Sequence, residues 1–413
     1  MPRVPPELCA RCKGYKRLCG LPRCPILDSF RSQVRAVLRS SAGLVEGATP
    51  PSSLVGEWGY PKVNVYYMIP PSVRGDRASY YDAPREWSLR NEPLHRIIEL
   101  RSSLVSASMR VPVTAPERLY ELEITPAALS VKPVDSEAEL RRPPTPRLVF
   151  DGVSKPVGPS SPARRVRVTG TPKLGGKLER MIWDDAPTRE AVVELYNSGL
   201  DVYTIQKALS LGALGRLRRR RLVPTRWAIT AVDDMLSSWL RSRLRGRPTI
   251  SGAEVYTAEY LGNRFAVILY PGSGHFEWVE AWHPATAWTP GAGRVVTWRV
   301  HEDPLGRRTA DDGGFSAARL AVLEHLNERG RVADVVIIRE ILPSYYAPVG
   351  NWHIRETVRQ ALSGQPRRYE SMDEAISSTL KLFDAGTALK AASPILSGRK
   401  MRSLVEYWPE LEG

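Results

Sequence analysis

Beyond residue 24 this 413-residue chain contains no cysteine. That excludes a disulfide-stapled scaffold for nearly all of its length. Long apolar runs are also missing. The most apolar stretch, Val332–Leu342, is interrupted by Asp334 and Arg339, whereas a membrane-spanning helix needs roughly 18–20 consecutive apolar residues. A membrane protein is therefore not expected. The N-terminus is rich in Pro and Cys and has no apolar segment of signal-peptide type, which predicts a cytoplasmic protein. No internal repeat, phosphate-cradling P-loop or His-Glu-x-x-His zinc motif is present, so the common nucleotide-hydrolase and zinc-peptidase signatures are absent. Lysine is scarce, 11 residues against 48 arginines.

What is present reads as a folded, strongly basic protein. Hydrophobic residues make up 42% and charged residues 25%, ordinary values for a globular chain. The length is enough for two or three domains' worth of core. The formal net charge is +15, and it is concentrated. Between Lys207 and Pro248 eleven basic side chains face only Asp233 and Asp234, a net +9. Such a cluster attracts polyanions, and a nucleic-acid backbone is the default partner. The candidate nucleic-acid contacts are Lys207, Arg216, Arg218, Arg219, Arg220, Arg221 and Arg226. A solvated helix face is the plainer alternative. A basic cluster does not distinguish DNA from RNA.

All four cysteines, Cys9, Cys12, Cys19 and Cys24, lie within sixteen residues. A Cys-x2-Cys turn followed by two more cysteines fits one tetrahedral Zn²⁺, so residues 1–27 read as a zinc knuckle. An iron–sulfur cluster and two disulfides are the alternatives.

Apolar spacing predicts helices near 28–40, 84–105, 188–199, 201–212, 315–328 and 353–362. Strands are expected near 55–67, 264–270, 276–282, 294–300 and 332–342. Residues 111–134 and 147–153 look extended, and the Pro/Gly/Ser-rich stretch 156–172 reads as loop. Mixed order with antiparallel hairpins predicts an α+β class, with a large core of antiparallel strands and packed helices. The pair 188–199 and 201–212, joined by Ser198-Gly199-Leu200, has helix-turn-helix spacing, although packed helices of this kind are common in any core.

Several longer motifs carry a family likeness. They are the Cys-x2-Cys-x-Gly opening, Leu54-Val-Gly-Glu-Trp-Gly-Tyr-Pro-Lys-Val-Asn-Val65 and Glu99-Leu-Arg-Ser-Ser-Leu104. Gly158-Pro-Ser-Ser-Pro162, Leu222-Val-Pro-Thr-Arg-Trp-Ala-Ile-Thr-Ala-Val-Asp-Asp234, Glu259-Tyr-Leu-Gly-Asn-Arg-Phe265 and Arg339-Glu-Ile with Tyr346-Ala-Pro-Val-Gly350 continue it. In this order, from Cys9 to about Leu362, the chain resembles the archaeal Nre DNA-repair proteins. The resemblance implies a DNA-repair factor of the archaeal cytoplasm, associated with the nucleoid. It also implies a zinc-binding N-terminus, a core over 28–370 and a tail over 371–413 that docks on the sliding clamp (PCNA). Clamp-binding peptides place one aliphatic and two aromatic side chains in a hydrophobic pocket. Met401, Leu404, Tyr407 and Trp408 fit that pattern, with Met401 standing where Gln is usual.

Catalysis is the second reading, as a metal-dependent nuclease or phosphoesterase. Asp233, Asp234 and His301 are its candidates, with Mg²⁺ or Mn²⁺ as the cofactor such oxygen-rich sets select. His301-Glu302-Asp303 with Asp311 and Asp312 forms one polar cluster, and Arg226 could clamp phosphate beside Asp233 or Asp234. Tyr60, Lys62 and Asn64 alternate along one strand face, so Lys62 joins the nucleic-acid candidates. The oligomeric state is not legible in the sequence.

Overall fold

The computed structural model describes residues 8, 11–12, 14–40, 43–50, 52–146, 157–289 and 291–398. Two six-stranded mixed sheets enclose a helical layer, so the α+β expectation holds. The first sheet contains β1 (Leu44–Thr49), β2 (Ser53–Val55), β3 (Lys62–Ile69), β4 (Val105–Pro112), β5 (Val134–Leu140) and β6 (Ser160–Val168), ordered β1-β5-β6-β4-β3-β2. Only β4 and β6 run parallel. The second contains β7 (Ala253–Tyr260), β8 (Asn263–Tyr270), β9 (Phe276–Trp282), β10 (Val296–Glu302), β11 (Asp334–Ile341) and β12 (Arg367–Tyr369), ordered β10-β9-β11-β8-β7-β12. Here β9 and β11 are the parallel pair.

The two sheets bury their faces differently, and the sequence explains why. In β8 and β11 consecutive residues are apolar. Phe265, Val267, Val335 and Ile337 face the main core, while Ala266, Ile268, Val336 and Ile338 face a second core. Helices Met372–Leu380 and Gly386–Ala392 cover that second face, so the segment after residue 370 begins with packed helices. In β3, Val63, Val65, Tyr67 and Ile69 turn inward; Lys62 is exposed, and Asn64 and Tyr66 are half-buried. One face of the first sheet is therefore open toward solvent at its Lys62 end, as alternation implies for an antiparallel sheet.

Between the sheets lie helices Thr188–Asn197, Val202–Ser210, Thr225–Leu244, Gly313–Arg329 and Trp352–Ser363. Asp201 caps the second of these by accepting from the Tyr203 and Thr204 N–H groups at 2.9 and 3.1 Å. That helix buries Val202, Ile205, Gln206, Ala208, Leu209 and Ser210. The helix-turn-helix spacing thus belongs to the core.

Two local expectations are corrected. Residues 111–134 are not continuously extended; after β4 they form two short helices, Glu117–Glu121 and Ile124–Ala128. Leu119, Ile124, Ala127 and Ala128 anchor these helices in the core, and Glu123 at φ 57° separates them. The 156–172 stretch is not loop throughout, because it contains β6. There Ala163, Val166 and Val168 face inward, and Arg165 and Arg167 stand opposite Glu139 and Glu137. Gly158 precedes it so closely to β4 that a Cβ would lie 1.8 Å from the Leu104 carbonyl oxygen. Residues 147–153 lie outside the described residues. Among the described residues, no helix is long and apolar enough to cross a membrane.

Candidate nucleic-acid interface

At the open end of the first sheet, segments distant in sequence are tied together by main-chain bonds. Val113 N–H donates to the Pro61 carbonyl at 2.9 Å, and Leu222 N–H donates to the Val113 carbonyl at 2.8 Å. The Val55 N–H donates to Thr225 Oγ1 at 2.8 Å, and Ser210 Oγ lies 3.0 Å from the same oxygen. The stretch 222–226 therefore runs beside the β2–β3 loop. Helix Thr225–Leu244 starts after Pro224, whose missing N–H suits a helix start. Arg226 and Trp227 thus stand on its first turn.

Three large rings are exposed here. Trp58 is 83% exposed, Trp227 52% and Tyr60 49%. The Tyr60 and Trp227 rings stack with centroids 6.2 Å apart and planes within 20°. Beneath the loop, Arg110 Nη2 donates to the Gly59 and Lys62 carbonyls at 3.2 and 2.9 Å. The tight turn requires Gly59, at φ +94°, because a Cβ there would meet the Lys62 carbonyl at 2.8 Å.

The candidate cations divide. Arg216, Arg218, Arg219 and Arg221 are exposed, and none of them pairs with a carboxylate among the described residues. Arg226 is also exposed, with Glu57 3.8 Å away. Lys62 shares this end of the sheet. Arg220 differs. It donates to the Gly215, Ile182 and Asp184 carbonyls at 2.8, 2.5 and 2.8 Å, so its fork ties down three main-chain carbonyls. Lys207 is half-buried and turned toward Asp82 and Asp201; burial pulls its ammonium below the usual lysine range against those charges. Of the candidate cations, Lys62, Arg216, Arg218, Arg219, Arg221 and Arg226 are exposed, whereas Arg220 and Lys207 are half-buried.

The carboxylates proposed for catalysis are already engaged by arginines. Asp233 is fully buried and accepts from Arg355 with both oxygens, and Gln206 donates to it at 2.9 Å. Asp234 accepts from Arg308 at 2.9 Å and Arg319 at 2.5 Å. Arg226 pairs with neither. Glu302 accepts from Arg241 and Arg319. His301 stacks on His275 with centroids 5.8 Å apart, and its Nδ1 is buried without a hydrogen-bond partner among the described residues. Burial, and then Arg299, pull the His301 pKa below the usual range. Asp312 caps helix Gly313–Arg329 by accepting from Phe315 N–H at 2.8 Å.

The family model described as Archaeal Nre, N-terminal matches residues 18–289, and Archaeal Nre, C-terminal matches residues 302–407. The chain belongs to the archaeal Nre family. It is 37% identical over 372 residues to a protein named DNA repair protein NreA from Archaeoglobus fulgidus, covering 90% of this chain and 92% of that protein. It is 36% identical over 405 residues to DNA repair protein NreB from the same organism, covering 97% and 99%. It is 32% identical over 383 residues to DNA repair protein NreA from Haloferax volcanii, covering 90% of each. No solved structure matches.

In this Nre chain, Cys12, Cys19 and Cys24 form no disulfide among the described residues; Cys9 lies outside them. Burial would raise the Cys12 pKa, yet the amides of Leu18, Gly14, Arg17 and Lys16 hold it below the usual thiol range. The Leu18 N–H lies 3.4 Å from Cys12 Sγ. Burial pushes Cys24 up, and the nearby Cys19 and Cys12 add to that rise against the amides of Leu27 and Ile26. Amides aimed at a thiolate beside neighbouring sulfurs suit a thiolate-bound cation, although among the described residues no group of three or more His, Cys, Asp or Glu is arranged to hold a metal ion. Met401, Leu404, Tyr407 and Trp408 lie outside the described residues.

The sequence reading missed Trp58, Trp227 and Arg110. A usable signal existed. Each tryptophan sits among Gly, charged or Thr neighbours, in Gly-Glu-Trp-Gly and Thr-Arg-Trp, a setting unlike an apolar core segment.

Proposed function

We propose that this Nre protein is a DNA-repair factor that binds DNA through the surface formed by Lys62, Arg216, Arg218, Arg219, Arg221 and Arg226. One observation carries the reading: the arginines at 216, 218, 219 and 221 are exposed and lack carboxylate partners among the described residues, where almost every buried arginine has one. Unpaired guanidiniums gathered on one surface are what a phosphate backbone attracts. Fluorescence anisotropy with a labelled duplex across 50–200 mM salt tests it, with steeply salt-dependent binding expected. Affinity that ignores salt, or no binding at all, overturns it.

The tail at Met401, Leu404, Tyr407 and Trp408 supplies recruitment to the sliding clamp in this reading, resting on its aliphatic–aromatic–aromatic spacing. Changing Leu404, Tyr407 and Trp408 together to Ala abolishes co-elution with the clamp; retained co-elution retires recruitment. Cys9, Cys12, Cys19 and Cys24 hold one Zn²⁺ in a structural role. Metal analysis of the purified chain reads about one zinc per chain, whereas visible absorbance with bound iron would point to an iron–sulfur cluster. No observation favours the nuclease reading, because arginines already engage Asp233 and Asp234.

A further inference from the structure

Exposed aromatic rings cost stability unless something covers them, because large rings are normally drawn into cores and interfaces. Trp58, Tyr60 and Trp227 are nevertheless held outward by a rigid scaffold. The loop bearing Trp58 and Tyr60 is fixed at both ends: Gly56 N–H donates to the Asn64 carbonyl at 2.8 Å, and Lys62 N–H donates to the Gly59 carbonyl at 2.9 Å. Arg110 clamps it from below. Trp227 stands on a helix turn whose Thr225 hydroxyl is bonded to the β2 backbone.

We infer that Trp58, Tyr60 and Trp227 form a stacking platform for the unpaired bases of a DNA strand, with Arg226 and Lys62 holding the adjacent phosphates. This rests on the DNA-binding reading above and adds the class of DNA bound. Three points favour a base over an apolar protein partner. The rings are interleaved with Gly56, Gly59, Lys62, Glu57 and Arg226 and make no continuous apolar patch. The parallel Tyr60 and Trp227 rings present flat π faces, the surface that bases stack on. The rim carries positive charge that complements a phosphate chain, from Lys62 and from Arg226, whose guanidinium lies 3.8 Å from Glu57. In a duplex the base faces are already covered by neighbouring bases, so rings projecting from a surface loop meet them only where the strand is unpaired.

The test uses the full chain and three labelled probes: a short single-stranded DNA of mixed sequence, the matched duplex, and an RNA strand of the same sequence. A fourth probe carries one 2-aminopurine in the single strand. The single DNA strand binds more tightly than the duplex, and 2-aminopurine fluorescence falls on binding. Trp58→Ala and Trp227→Ala each weaken single-strand binding by about 5- to 100-fold, abolish the fluorescence change and leave the salt slope and duplex affinity unchanged. Trp227→Phe restores most of the single-strand affinity. Trp58→Ala is a clean control for folding because that ring is 83% exposed. If both variants keep wild-type affinity and quenching, the platform is overturned while the DNA reading stands. Duplex preferred over single strand overturns the platform in the same way. Tighter binding of the RNA strand overturns the assignment to DNA, and binding to none of the probes overturns both readings.

Discussion

Arg355 and Arg219 are the same side chain in opposite circumstances. Arg355 is 1% exposed and holds both oxygens of Asp233, inside a layer where Asp234, Glu302 and Glu280 likewise serve Arg308, Arg319, Arg241 and Arg339. Arg219 is exposed and faces no carboxylate among the described residues. An arginine count therefore measures two things: internal cross-bracing, where each charge is already neutralised, and a surface with charge to offer. The net charge of the segment 207–248 mixes both. Partner accounting separates them, and it also removes Arg220 and Arg241 from the binding surface.

If the buried set is bracing, its members fail through stability. Asp233→Ala leaves the Arg355 guanidinium buried and unpaired, and chemical denaturation is expected to show a loss of about 3–5 kcal/mol. A loss below about 1 kcal/mol would break the comparison on the buried side. The double variant Asp233→Leu with Arg355→Met sharpens it, because replacing both charges with apolar groups recovers most of that loss.

His353 gives a pH-dependent version. Arg339 can only donate, and its Nη2 lies 3.2 Å from His353 Nε2; Nδ1, 2.7 Å from the Gly350 carbonyl, therefore carries the proton. Burial, and then Arg339, hold the His353 pKa down at about 3. Below the ordinary value near 6.5 the unfolded chain takes up a proton that the fold refuses, so stability is present above that pH and falls as pH drops. The expected loss is about 1.4 kcal/mol per pH unit, or about 2 kcal/mol between pH 6.5 and 5. His353→Gln flattens this part of the profile; an unchanged slope would contradict the assignment.

Within the arginine run, Arg220→Ala is expected to cost about 1–3 kcal/mol through its three carbonyls, whereas Arg219→Ala stays within about 0.5 kcal/mol. Thermal melts of the two variants side by side check this. Equal losses would mean the run is uniform after all.

The α+β class and the doubly buried strands β8 and β11 were legible because consecutive apolar residues mark two covered faces. β6 was not, because Pro159, Pro162 and Gly158 outweighed the alternation of Val166 and Val168 with Arg165 and Arg167. The helices Glu117–Glu121 and Ile124–Ala128 are too short to show a period. The basic cluster was legible as composition, but its division was not: Arg220 is held by carbonyls, and carbonyls leave no trace in side-chain identity. The platform depends on Val55 and Thr225 meeting 170 residues apart in sequence. No local pattern reports such a contact.

The exposed arginines are the central claim, and the salt dependence of DNA affinity tests them most directly. Arg216, Arg218 and Arg219 are changed together to Ala, and log affinity is plotted against log salt for wild type and variant. With each lost phosphate contact the slope falls by about one. The account predicts a slope shallower by about three, weaker binding at low salt and an unchanged melting temperature. A variant with the wild-type slope and affinity would contradict it.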